Sequence, residues 1–436
     1  MIIKRPLIYI SFLALSVLSV SFVSGNTENR NYSESFPSVV CPQKLSGLNS
    51  QVSIASAKVQ FQSLENRSSK TVPFKSSRYT LANNSVVINA KSITPVVWQS
   101  RTGSWSGGAI CTGPATSQWF VGGSANVTSR GHLLVANSGL SDAIIDIATY
   151  SENGNQPIKS FTLKSRSSTQ IALDALAPGD RLLAIHVTPR SGRINSFLID
   201  EQGAGLKSLG GDFVNAFSAP AQEIFIPAVP NQIISKGQKS SSSHTLRILA
   251  PGTVDTTFSA EILTTDGRFI PVELSSRTIS AGAVSEFTFA PEIAAKIFSV
   301  HITSQEPVVA SISTSVASNG HKDFVWSTGV PELTTMSMAI SGLTPLFTFT
   351  GDSISLRITV TFANGKKVSK QLKGEDLVAW RAPNNSTVIS IDSTNKKTYA
   401  GAIITSIDGY GFIPVAPGSV LTRVEVPNSN IRVLNP

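Results

Sequence analysis

The feature that most restricts how this chain folds is a hairpin pattern that returns at nearly fixed intervals. Residues 256–271 (TTFSAEILTTDGRFIP) largely alternate apolar and polar side chains, reach an Asp-Gly pair and return in a second extended run. Residues 143–157 and 355–368 do the same around Asn153-Gly154 and Asn364-Gly365. A period of two marks a half-buried strand, and Asn-Gly or Asp-Gly between two such runs predicts a tight turn of type I′, whose central residues need positive φ. A second landmark, a strand, a short polar turn and another strand, travels with the first. It spans 184–200 and 299–314, where His186 and His301 lie 115 residues apart, while Gly154 and Gly267 lie 113 apart. Landmarks that move together predict an internal repeat of about that length.

A third copy of the second landmark runs through 388–406, with Ile391 in place of the histidine, and a weaker fourth through 86–100. The hairpin matching that fourth copy, 58–73, carries Asn66-Arg67 where the others have glycine. Trp119-Phe120-Val121, Asp212-Phe213-Val214, Asp323-Phe324-Val325 and Gly411-Phe412-Ile413 form a further series. In the first unit this landmark falls late, which reads as an insertion over 101–114.

Strands at short, regular spacing with turn signals between them place the chain in the all-β class, as tandem immunoglobulin-like β-sandwich units. A β-propeller also repeats four-stranded units, but its blades are nearer 40–50 residues, less than half the offset found here. The polar stretches divide the chain into a leader (1–25), a flexible polar segment (26–38), a disulfide-bearing unit (39–128) and three sandwich units (129–235, 236–335 and 336–436). SKGQKSSSS at 235–243 is the linker candidate.

The leader has Lys4 and Arg5 before an apolar run and small residues at Val23-Ser24-Gly25, the pattern of an export signal or, if uncleaved, of an N-terminal anchor. No later run is long enough to span a membrane. Cys41 and Cys111 are the two cysteines, and in an oxidising compartment they are expected to form a structural disulfide. The whole chain has a folded composition, 41% hydrophobic and 14% charged. The formal charge of +9 is spread without a dense run, which argues against a nucleic-acid partner and suits contact with anionic envelope polymers or lipids. Lys366, Lys367, Lys370 and Lys373 form a modest basic edge around the third hairpin, read as a solvated return strand.

Catalytic signals are absent: there is no HExxH, G-x-S-x-G or P-loop pattern, and no metal or cofactor is expected. Four of the five histidines fall in two equivalent pairs, His132 with His244 and His186 with His301, and equivalence points to structural roles. Ser124-Ala125-Asn126 lacks the companion motifs of penicillin-interacting enzymes. Asp142 and Asp146 share one strand face with nothing to separate their pKa values. Among the aromatics, Trp98 and Trp119 read as core. Trp105, in TGSWSGGA, reads as an exposed loop indole available to stack on sugar.

Taken together, the two cysteines flanking the first unit, Trp-Phe-Val-Gly-Gly at 119–123, LLVANSG at 133–139, LDALAPGD at 173–180 and PVVA at 307–310 resemble a family. It is a group of exported actinobacterial proteins catalogued as a domain of unknown function, number 5719. The resemblance covers the whole mature chain and implies a secreted or cell-envelope location without implying an activity. The expectation is a non-enzymatic envelope scaffold or interaction protein whose partners are envelope proteins or cell-wall glycan. A glycan-binding protein using the Trp105 loop is the alternative, and an enzyme of unfamiliar type comes third.

Overall fold

The computed structural model describes residues 38–65, 70–90, 93–205, 207–232 and 243–419. The leader, the segment up to residue 37, the Asn66-Arg67 turn and all but the last residue of the 235–243 linker lie outside the described residues. What is described is all-β, with strands joined by turns and two short 3-10 turns at Leu173–Ala175 and Val272–Leu274. Among the described residues no helix is long and apolar enough to cross a membrane.

Alternation dictates the strands. Ala143–Ser151 buries every second residue, and Thr256–Thr264 does so as far as Ile262, so each has one face for a core and one for water or a neighbour. The hairpins form where the glycines lie, but by a different turn. Gly154, Gly267 and Gly365 have positive φ, whereas Asn153, Asp266 and Asn364 do not. The glycine is therefore the left-handed residue that closes a type I turn and creates a bulge, not half of a type I′ pair. Hydroxyls set the first two turns: Ser151 Oγ accepts the Asn153 N–H at 3.1 Å and Thr264 Oγ1 the Asp266 N–H at 3.1 Å.

The strands assort into four units, 38–110, 118–214, 221–328 and 336–414. Counting eight strands per unit in chain order, one sheet has the order 1-6-3-4 and the other 5-2-7-8. In the second unit the first sheet runs Gln118–Val121, Ala184–Ser191, Ala143–Ser151, Lys159–Leu163, and the second runs Ser167–Ala172, His132–Asn137, Ile194–Ala204, Lys207–Val214. The first unit has the same order, with Ser38–Cys41, Val86–Asn89, Gln60–Ser63, Val72–Pro73 facing Arg78–Thr80, Asn49–Ser53, Val96–Arg101, Trp105–Ile110. Each unit encloses its own apolar cluster; that of the second gathers Leu133, Ile145, Ile185 and Leu198 from both sheets.

In the last two units the same sheets are continuous. Ile297–Ser318 serves as sixth and seventh strands, while Leu346–Phe362 and Lys367–Arg381 each run through both sheets. A unit is thus one antiparallel sheet folded over on itself, its corner made by strands that bend from one layer to the other. Leu346–Phe362 turns its corner at an irregularity between Gly351 and Ile354. An immunoglobulin order sets the first strand beside the second. Here the seventh stands there and the first lies beside the sixth.

The units form a closed, propeller-like ring. The eighth strands, Trp105–Ile110, Lys207–Val214, His321–Thr328 and Tyr410–Pro414, pack on one another around a common axis. Apolar clusters seal each successive boundary: Trp105 with Phe213 between the first two units, Val121 with Val309 between the next, Ala228 with Phe412 after that, and Trp98 with Ile413 between last and first. Closure is also made by strand pairing, because Ile93–Thr94 pairs in parallel with Ser337–Met338 of the fourth unit. Blade size did not exclude this arrangement, since each unit folds two sheets and presents only one strand to the axis.

Candidate functional site

At the axis the sequence supplies glycines and two acids. Asp212 and Asp323 sit in the eighth strands of the second and third units, and both are buried. Asp212 accepts the N–H of Phe213 at 2.8 Å, of Trp326 at 2.9 Å and of Phe412. Asp323 accepts N–H groups from Phe324 at 2.9 Å, Gly211 at 3.1 Å, Tyr410 at 3.4 Å and Ser106. One carboxylate therefore collects main-chain donors from three units and the other from all four. Burial outweighs these donors, pushing Asp323 up to about 7 and Asp212 well above the usual carboxylate range, where the nearby Asp323 charge adds to the rise.

Close approach of the strands explains the glycines. A Cβ on Gly107 would lie 2.6 Å from Asp212 Oδ1 and 3.0 Å from the Phe213 nitrogen. One on Gly411 would lie 2.8 Å from both the Gly107 Cα and the Gly108 nitrogen. The carboxylate oxygens accept N–H donors from several units, so the two acids pin the axial strands to one another.

Arginines tie the ring outside the axis. Arg101 grips Glu201 through two bonds of 2.6 and 2.9 Å between the first and second units. Arg247 lies over the Trp326 ring at 4.9 Å, pairs with Glu286 and donates to the carbonyls of Gly123 and Leu183 across the next boundary. Trp326 Nε1 donates to buried Asp200 at 2.9 Å, and burial raises the Asp200 pKa. Arg268 bridges to Asp352 and Asp376 of the fourth unit.

Open grooves lie at the boundaries. One of about 420 Å³ between the first two units is lined by Arg101, Arg130, His132, Asp174 and Glu201. Another of about 490 Å³ between the second and third is lined by Trp119, Tyr150, Pro220, Pro251, Val254 and Pro307. No cluster of His, Cys, Asp and Glu able to hold a metal ion occurs among the described residues.

The residues singled out in the sequence are dispersed through this ring. Cys41 and Cys111 are joined in a disulfide. Trp105 is not on an exposed loop: it begins the axial strand of the first unit and is completely buried between that unit and the second. The glycines that made its surroundings look like a loop are there to let the axial strands meet. For the same reason 101–114 is no insertion, since it carries the eighth strand, and Trp119-Phe120-Val121 belongs to the first strand of the second unit. Trp98 is buried at the boundary with the fourth unit. Trp119 is also buried, stacked on His186 at 3.9 Å and on Tyr150 at 5.8 Å, with its edge reaching the groove.

His301 stacks on Phe225 at 4.1 Å, and both this pair and His186 on Trp119 have an interplanar angle of 8°. His132 and His244 are less alike. His132 is partly exposed and bonded to the Arg130 carbonyl, whereas His244 is fully buried against Phe289 and Phe298, and burial lowers its pKa to about 4. Ser124 and Asn126 accept N–H groups within their own turn. Asp142 and Asp146 pair with Lys164 and Arg190 at the surface. Asp200, Asp212 and Asp323 were not singled out for chemistry, although Asp-Phe-Val at both 212 and 323 marked their strands.

A family model described as a family of unknown function, DUF5719, matches residues 81–373, more than half of the chain. No curated protein matches it. Among solved structures, one described as Thermotoga maritima 1070 is 17% identical, with a TM-score of 0.22, covering 24% of this chain and 94% of its own. A GH78 family rhamnosidase of Bacillus sp. GL1 is 7% identical, with a TM-score of 0.11, covering 65% of this chain and 55% of its own.

Proposed function

We propose, for a chain that belongs to the DUF5719 family of unknown function, that it is an exported, non-enzymatic scaffold or interaction protein of the cell envelope. Its four units are read as repeats of one folded-over sandwich, arranged as a rigid ring that offers sheet faces and boundary grooves to partners. The observation that carries this reading is the axis itself. In a ring, the axis is where side chains from all units converge, and here it is filled by main chain bonded to Asp212 and Asp323. A convergent active site needs polar groups left free to meet a substrate, whereas these acids serve the assembly. The export pattern of the leader and the Cys41–Cys111 disulfide support an extracytoplasmic location.

Crosslinking in intact cells, followed by mass spectrometry, tests the reading. Reproducible crosslinks from lysines on the ring to one or a few envelope proteins are expected. Turnover of cell-wall fragments by the purified protein would overturn the non-enzymatic part. A glycan-binding module is the second reading, favoured by the groove of Trp119, Tyr150 and three prolines, since aromatic edges combine apolar area with little entropy cost. Trp105 does not serve it, because a ring with no exposed surface has no face to offer a sugar.

A further inference from the structure

The fourth unit bears a cationic sheet face that neither the ring nor its boundaries use. Its third and fourth strands pair in register within Leu346–Phe362 and Lys367–Arg381, setting Thr361 opposite Lys367, Thr359 opposite Ser369, Arg357 opposite Gln371 and Ser355 opposite Lys373. The alternate residues Leu356, Ile358 and Val360 enter the core, so the first set lies on the outer face. Arg357, Lys367 and Lys373 on that face are exposed, as are Lys366 at the turn and Lys370, which stands opposite Ile358 on the other side of the edge strand. Among the described residues none of the five has an acidic partner within salt-bridge distance. Asp392, on the neighbouring strand, accepts a bond from Thr359. Between the cations runs a row of Ser, Thr and Gln side chains.

Lysines on an edge strand also discourage pairing with other chains. That role does not account for Arg357, which stands on the third strand with a neighbour on either side. We propose that this face binds a linear anionic polysaccharide lying along the hairpin. Six residues at about 3.4 Å each set Lys367 and Lys373 roughly 20 Å apart, a span of several sugar residues. The cations match the carboxylates, and the hydroxyl and amide row matches sugar hydroxyls. The face carries no aromatic ring on which bases stack, and an amphipathic membrane surface needs a broad apolar band that is missing here.

The probe is polygalacturonate, titrated into the full-length protein at low salt and again at physiological salt, alongside neutral dextran, duplex DNA and phosphatidylglycerol vesicles. Binding of polygalacturonate, weakened by salt, is expected to fall about tenfold in the triple variant Arg357→Gln, Lys367→Gln, Lys373→Gln, from three screened surface contacts on the one face. The control triple Lys58→Gln, Lys70→Gln, Lys75→Gln removes the same charge from exposed positions of the first unit and should bind as wild type. Unchanged melting of both variants shows that the ring is intact. Equal loss in the two triples, equal affinity for dextran, tighter binding to DNA or vesicles, or no binding at low salt would each overturn the proposal. It stands apart from the envelope-protein reading, so failed crosslinking leaves this test intact.

Discussion

Replacing Trp105 with alanine separates a structural indole from a ligand-binding one. The ring is fully buried among Ala109, Leu134, Phe197, Ile199 and Phe213, and its Nε1 has no hydrogen-bond partner among the described residues. The loss is therefore apolar packing plus the cavity left behind, about 4 kcal/mol for a buried Trp→Ala change, with no hydrogen-bond penalty to add. The ring also packs against Gly211, where an added Cβ would meet it at 2.8 Å and the Asp200 carbonyl oxygen at 3.1 Å. Gly211→Ala alone should cost about 1–3 kcal/mol by overpacking. In the Trp105→Ala background that cost should shrink, because one of the two clashing groups has gone. Urea unfolding followed by far-ultraviolet circular dichroism gives all four stabilities of the cycle. A Trp105→Ala loss below about 1 kcal/mol, or additive effects of the two changes, would refute the placement of this ring between the first and second units.

Four further outcomes are expected. Wild type should lose stability relative to Asp323→Asn as pH rises from 3.8 to about 7, because the folded pKa stands above the unfolded one; urea midpoints with equal pH slopes would count against it. His244 acts in the opposite sense, since its folded pKa lies below the unfolded value. Relative to His244→Phe, wild type should lose up to about 3 kcal/mol as pH falls from 6.5 to about 4, read from the same midpoints. Gly411→Ala should lower the melting temperature through a loss of about 1–3 kcal/mol, because its Cβ meets backbone rather than a flexible side chain. The paired change Cys41→Ser, Cys111→Ser opens a link spanning 70 residues and should cost about 4 kcal/mol by chain entropy, measured by denaturant unfolding.

Local pattern carried the strands and the turns. The alternation in 143–151 and 256–264 and the glycines at 154, 267 and 365 depend on neighbours within a few residues, and the strands and bends stand where those residues are. Misreadings arose where a local cue has two causes. Gly107 and Gly108 beside Trp105 look like a flexible loop, yet they admit other strands, and nothing within the segment distinguishes the two. The first unit, whose landmarks are faintest in the sequence, has the same strand order as the second. The cationic face was partly legible: the lysines stood out, while Arg357 joined them only through register.

By itself, then, the sequence determined an all-β chain with hairpins at set intervals and two cysteines available for one bond. Tertiary structure alone decided that the units fold over, exchange edge strands relative to an immunoglobulin order and close into a ring. It also decided that Asp212 and Asp323 are buried and held by main-chain donors from several units. The physical reason is range. Strand formation is set by side-chain alternation along a few residues, whereas partner choice at the axis depends on groups such as Ser106, Gly211, Asp323 and Tyr410, which meet only when all four units are in place.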